Sequence, residues 1–122
     1  MGKDAEAGKS ISGPELIRGA ELIRTGGVVA FPTETVYGLG ANAYDAEAVA
    51  RIFEIKGRPR FDPLIVHVGD LEKAKHIAAE FPEFAIRLAE RFWPGPFTLV
   101  LPKRHLIPDI VTAGMPTVAL RM

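Results

Sequence analysis

Val28-Val-Ala-Phe-Pro-Thr-Glu-Thr-Val-Tyr-Gly-Leu-Gly40 is the stretch on which the fold turns. It follows Gly26-Gly27 and begins with a short apolar run, Val28 to Phe31, the pattern of a buried strand. Pro32 has no amide hydrogen to give to a ladder, so it marks a sheet edge, a strand end or a bulge. A polar segment follows, Thr33-Glu34-Thr35, and then Tyr37 with Gly38 and Gly40. Two readings fit. The plain one is strand, turn and second strand, with Thr33 or Thr35 hydrogen-bonding local backbone. In the functional one, hydroxyls and a carboxylate just past a strand end belong to a site on a rigid scaffold.

Upstream, Ser12-Gly-Pro-Glu15 has capping-box spacing and predicts a helix to about Arg24, burying Leu16, Ile17, Ala20 and Ile23 and stopped by Gly26-Gly27. Downstream, Asp45 is a natural N-cap for a helix with core stripe Val49, Ile52 and Phe53, ending at Gly57. Arg58-Pro-Arg-Phe-Asp-Pro63 reads as irregular, because each residue before a proline is pushed to an extended conformation. Leu64 to Val68 is a short strand, and Asp70 caps a helix to about Ala79. Pro82 opens another helix, Glu83 to Phe92, expected to bury Phe84, Leu88 and Ile86. Trp93-Pro-Gly-Pro96 breaks it before a buried strand at Phe97 to Leu101. A loop with room for one helical turn, Leu106 to Gly114, precedes a last strand from Thr117, inside which the chain stops. That ending suggests a piece of a longer protein, with Val118, Leu120 and Met122 lacking a neighbouring strand. Helices mixed with strands, some adjacent in sequence, imply an α/β fold with a twisted, open mixed sheet.

The composition excludes several classes of function. Lys and Arg number 15 against 15 Asp and Glu, so no global field points to nucleic acid or membrane. Cysteine is absent, which removes disulfides, a thiolate nucleophile and Cys-ligated metal. No apolar run reaches membrane-spanning length and the charged N-terminus lacks a signal-peptide core, so a soluble cytoplasmic protein is expected. His67, His76 and His105 are scattered, with no carboxylate at ligand spacing, so no protein-built metal site is expected. There is no GxxxxGK[ST] loop, and Ser10 and Ser12 lie too near the N-terminus for a Ser-His-Asp triad.

Three constellations remain. Lys56-Gly-Arg58-Pro-Arg60 is either a helix end with solvated cations or a cationic clamp for polyphosphate on a proline-braced loop. His67 shares its strand face with Ile65 and is either structural or placed to orient a small polar substrate. On the last strand Thr117, Ala119 and Arg121 share a face, and Arg121 requires a carboxylate partner, a ligand carboxylate or solvent. Lys103-Arg104-His105 is a second, smaller basic cluster.

Taken together, from about Leu22 to Met122, the chain resembles the YrdC-like family of L-threonylcarbamoyl-AMP synthases. The resemblance rests on Pro-Thr-Glu-Thr-Val-Tyr-Gly-Leu-Gly, Ile-Phe-Glu-Ile-Lys-Gly-Arg-Pro, Pro-Leu-Ile-Val-His, Phe-Trp-Pro-Gly-Pro-Phe-Thr-Leu-Val-Leu and Thr-Val-Ala-Leu-Arg-Met, in that order. It implies a twisted α/β sheet around a positively charged cavity, with residues 1–11 a tail and residues 12–122 an incomplete catalytic domain. It implies a nucleotidyltransferase making threonylcarbamoyl-AMP and pyrophosphate from L-threonine, bicarbonate and ATP with Mg²⁺. The product is the donor for threonylcarbamoyladenosine in tRNA, so tRNA or tRNA-modification proteins are possible partners.

By position the resemblance places Lys56, Arg58, Asp62 and Thr117 on ATP, and Thr35, His67 and Arg121 on threonine, with Thr33 the fallback hydroxyl. Asp62 stands where relatives commonly carry asparagine, and a carboxylate there repels ATP unless Arg58, Arg60 or a magnesium ion offsets it. The family's Ser-x-Asn segment lies downstream of Met122. No covalent nucleophile is evident, and the implied catalysis is positioning and charge neutralisation. Three other readings stay open: a carbamoyl-AMP-forming maturation domain, an RNA-binding module that salt would weaken, and an inactive fragment.

Overall fold

The computed structural model describes residues 13–32 and 37–122. The expected Ser12 cap, and Thr33 and Thr35, lie outside the described residues. The chain divides into two compact units, Met1–Arg58 and Pro59–Met122.

In the first unit, helix α1 (Gly13–Arg24) leads through a tight stop into strand β1 (Val29–Pro32), which pairs antiparallel with β2 (Tyr37–Gly40). The Gly26 amide donates to Ile23 and the Gly27 amide to Leu22, so the last turn of α1 closes on itself. Phe31 sits opposite Gly38, and its ring lies over both glycines. A Cβ at Gly38 or Gly40 would stand 3.2 or 3.1 Å from that ring. The glycine pair is therefore explained by cross-strand packing of Phe31, and Pro32 by its place at the end of an edge strand.

The expected burial of α1 is not what the structure shows. None of its residues is buried, and Leu16 and Ile17 are 49% and 63% exposed. The helix approaches the hairpin through Gly19 and Ile23 instead, whose neighbours are Val29 and Gly40. Helix α2 (Ala46–Lys56) follows as read. Asp45 accepts from the amides of Glu47 and Ala48, and Val49, Ile52 and Phe53 are buried together with Ala48. The Arg51 guanidinium donates to the Gly26 carbonyl, tying α2 to the end of α1.

The second unit is built on a three-stranded mixed sheet of β3 (Ile65–His67), β4 (Leu99–Pro102) and β5 (Thr117–Arg121). β5 is central, parallel to β3 and antiparallel to β4. The last strand therefore has neighbours on both sides, and Val118 and Leu120 are 1% and 0% exposed, contrary to the expectation of a missing strand. Helix α3 (Leu71–Ile77) starts at Asp70, which accepts from the Lys73 amide, and α4 (Glu83–Phe92) starts at Pro82. α4 buries Ala85 and Ala89, whereas Phe84 is 61% exposed, so its inward face is rotated from the one expected. A cis Trp93–Pro94 bond follows. Trp93 donates its indole N–H to the Phe97 carbonyl at 2.7 Å, which carries the chain into β4 two residues later than expected. α5 (Asp109–Thr112) is the single helical turn anticipated before β5. The buried side of the sheet presents Val66, Leu99, Leu101, Val118 and Leu120, and the unit's core also holds Ala74, Ile77, Trp93, Ile107 and Val111.

Candidate functional site

The other side of that sheet carries three of the residues singled out from sequence, His67, Thr117 and Arg121. Val66, Leu120 and Leu99 form one row across the three strands, all buried. Side chains alternate, so the adjacent row, His67, Arg121 and Thr98, points to the opposite face. His67 is the register partner of Arg121, and the Val68 amide donates to the Arg121 carbonyl at 2.9 Å, pinning the ends of the two strands together.

Arg121 is half-buried and already held. Its Nε and Nη2 both donate to Thr98 Oγ1, at 3.0 and 2.8 Å. These two nitrogens form the side edge of the guanidinium. The end edge, Nη1 with the second hydrogen of Nη2, meets no acceptor among the described residues. A planar fork with one edge anchored and one edge open is suited to a carboxylate taken bidentately.

His67 keeps part of its ring open to solvent. Desolvation of the rest lowers its pKa below the ordinary 6.5, and the Arg121 charge lowers it further. Both effects favour the neutral imidazole near pH 7, leaving Arg121 as the cation of the row. Thr117 lies on the same face of β5, opposite Pro102, about 13 Å from Arg121 along the strand. His67, Thr117 and Arg121 thus share one sheet face.

Lys56 and Arg58 belong to the first unit. Between them Gly57 adopts a left-handed conformation, φ 63°, and closes α2: its amide donates to Glu54, and the Arg58 amide reaches back to Phe53 at 3.0 Å. This cap fixes the backbone of both cationic residues against the buried Phe53. Lys56 is exposed and Arg58 half-buried. The segment after them is irregular, as read. Asp62, exposed, closes a turn in it by donating its amide to the Pro59 carbonyl at 3.1 Å. Thr35 lies outside the described residues.

The second basic cluster has structural work. Lys103 Nζ donates to the Ile107 carbonyl and pairs with Asp109, and Arg104 donates to the Ala78 carbonyl. Among the described residues no group of three His, Cys, Asp or Glu is placed to hold a metal ion. No helix among them is long and apolar enough to cross a membrane.

Thr98 was not singled out from sequence. Its signal was available locally, as a hydroxyl out of phase with the buried Leu99 and Leu101. Its partner was not, because 23 positions separate it from Arg121.

A family model described as "Telomere recombination" (Sua5_yciO_yrdC) matches residues 21–122, across both units. The chain belongs to the Sua5/YciO/YrdC family. A threonylcarbamoyl-AMP synthase of Pyrococcus abyssi is 60% identical over 103 residues, 84% of this chain and 30% of that protein. The synthase of Bacillus subtilis is 51% identical, over 93% of this chain and 33% of that protein. Among solved structures, P. abyssi Sua5 complexed with L-threonine superposes with a TM-score of 0.83 at 57% identity, covering 88% of this chain and 32% of that one. E. coli YciO gives 0.70 at 27% identity, covering 85% and 50%. The chain spans about a third of the length of these two synthases. The α/β fold with a mixed sheet is that of the family.

Proposed function

We propose that the chain carries the threonine-recognising part, and the cationic phosphate-recognising part, of an L-threonylcarbamoyl-AMP synthase. The observation that carries this reading is the row His67–Arg121–Thr98, a guanidinium with one edge anchored and the other meeting no acceptor among the described residues, beside a weakly basic imidazole. It is supported by 60% identity to a protein of that activity and by the L-threonine complex of a close structural neighbour.

In this reading the threonine carboxylate pairs with the open edge of Arg121. A neutral His67 does not compete for the carboxylate and orients the substrate's polar groups, with Thr35, or Thr33 in its place, as the hydroxyl contact. The threonine amine adds to bicarbonate with loss of water, giving a carbamate. A carbamate oxygen then attacks the α-phosphorus of ATP, forming an O–P bond as the α–β phosphoanhydride breaks and pyrophosphate leaves. Lys56 and Arg58 neutralise the phosphates and Thr117 contacts the nucleotide, so catalysis is by placement and charge compensation. Asp62 is kept from repelling ATP by its cationic surroundings in sequence, Arg58 and Arg60. Magnesium enters with ATP as part of the substrate, and no step is assigned to an ion held by the protein. In the same reading the 12–122 segment acts as one catalytic domain, and the family match over residues 21–122 supports treating most of it together. The product serves threonylcarbamoyladenosine formation in tRNA, in the cytoplasm, with tRNA-modification proteins as partners.

The test is pyrophosphate release from Mg–ATP with threonine and bicarbonate, each omitted in turn, run beside the P. abyssi synthase. Release that needs all three supports the reading. Release indifferent to threonine and bicarbonate sinks it.

A further inference from the structure

Thr98 offers a single oxygen to two donors of the same guanidinium, and it does so from the position just before β4 while Arg121 stands on the central strand. An arginine side chain has four rotatable bonds, and one side-chain contact along the shaft would leave its plane free to swivel. Two bonds to one oxygen, from Nε and Nη2, fix the plane as well as the position. Which edge is fixed matters. With the side edge occupied, the end edge is what a ligand meets, and that edge presents two parallel N–H groups at carboxylate spacing.

Thr98 itself is held from behind. The Phe97 carbonyl before it accepts from the Trp93 indole at 2.7 Å, and Trp93 is buried. The Phe97 ring lies tilted against Phe92, centroids 5.0 Å apart, and the Gly95 amide donates to the Met122 carbonyl at 3.0 Å. The segment between α4 and β4 therefore holds the end of β5 at two points, the Arg121 side chain and the Met122 carbonyl. This is a rigid support, built from the chain's one tryptophan, for one hydroxyl.

We propose that Thr98 is a positioning residue for amino-acid recognition: it locks Arg121 with its end edge outward, so that the substrate carboxylate meets a preset bidentate fork. This rests on the threonine reading of the site given above. The Thr98 hydroxyl accepts from Arg121 and makes no bond to the substrate, so its effect on substrate passes through the guanidinium.

The test compares Thr98→Val, which keeps shape and removes the acceptor, with Thr98→Ser, which keeps the acceptor. Threonine and Mg–ATP affinities are measured by calorimetry. The His67 imidazole is titrated by NMR without ligand, because burial and, secondly, the charge of its register partner Arg121 lower its pKa. The expected result for Thr98→Val is about tenfold weaker threonine binding with Mg–ATP binding unchanged, and a His67 titration moved up toward its ordinary value. Thr98→Ser restores both. Unchanged threonine affinity and an unchanged His67 titration in Thr98→Val overturn the proposal, as does a Ser variant that behaves like Val. If parent and variants alike fail to bind threonine, the threonine reading falls. The His67 titration then decides alone, a shift in Val reversed by Ser supporting the lock and no shift overturning it.

Discussion

His67 and Arg121 are register partners on parallel strands, so the imidazole and the guanidinium leave the sheet side by side on the same face. Lys56 and Arg58 arise separately, on either side of the left-handed Gly57 that ends a helix. The two groups are expected to read different ligands. Arg121→Ala should weaken threonine binding by on the order of a hundredfold, the loss of a bidentate charged pair, and leave Mg–ATP nearly unaffected. Arg58→Ala should do the reverse. Calorimetry with each ligand checks this, and equal effects of both substitutions on both ligands contradict the division.

The depressed pKa of His67 gives a pH dependence with a definite sign. The unfolded chain takes up a proton near 6.5, and the folded chain only at lower pH. Between those values the unfolded state binds more protons, so stability falls as pH drops below 6.5 and levels off under the folded pKa. The His67 contribution is whole above 6.5. Urea midpoints collected from pH 5 to 8 should show this slope in the parent and a shallower one in His67→Gln. Superposable profiles would remove His67 from the account.

Lys103 is a test of burial rather than of chemistry. Its side chain is 9% exposed and donates to the Ile107 carbonyl at 2.8 Å and to Asp109 at 3.0 Å, while Asp109 is 80% exposed. Lys103→Met leaves the Ile107 carbonyl without its donor and should cost about 1–3 kcal/mol. Asp109→Asn removes only the solvent-screened half of the pair and should cost under about 1 kcal/mol. Denaturant unfolding separates the two. Similar losses would mean the ion pair, not the buried carbonyl, holds this corner.

Two glycine substitutions should differ because their surroundings differ. At Gly57, φ 63°, nothing stands within 4 Å of an added Cβ, so alanine costs only the strain of the left-handed region, about 1 kcal/mol. At Gly95, φ 157°, the Cβ would stand 2.8 Å from the Phe92 carbonyl oxygen, which is backbone and cannot turn aside. Gly95→Ala should therefore cost more, about 2–4 kcal/mol, and disturb the near-ultraviolet signal of Trp93. An equal cost at both positions would show that backbone conformation alone governs them.

What could be read from sequence was whatever is decided locally. Asp45, Gly57, Asp70 and Pro82 mark helix ends because a cap or a proline acts within one turn, and those ends stand where expected. Alternation likewise sorted His67 from Val66 and Arg121 from Leu120. Burial was less legible. Periodicity groups Leu16 with Ile17 and Ile23, but it does not say which of them meets another element, and α1 meets the hairpin at Gly19 and Ile23 while Leu16 and Ile17 stay exposed. In α4 two alanines, not Phe84, turn inward, since small residues allow a closer approach than an aromatic ring. The Thr98–Arg121 contact was invisible for a different reason: it depends on the pairing of β4 with β5, which no local pattern encodes.

That pairing has a further consequence. Leu120 and Arg121 are neighbours on the central strand, one wholly buried and the other the cation of the open face. Slipping β5 by one residue would bring out Val118 and Leu120, each worth about 1.5–3 kcal/mol of burial, and drive an unpaired guanidinium into the core. The core thus proofreads the site. A misregistered β5 would lose core burial and the Thr98–Arg121 contact together, so the two should stand or fall as one.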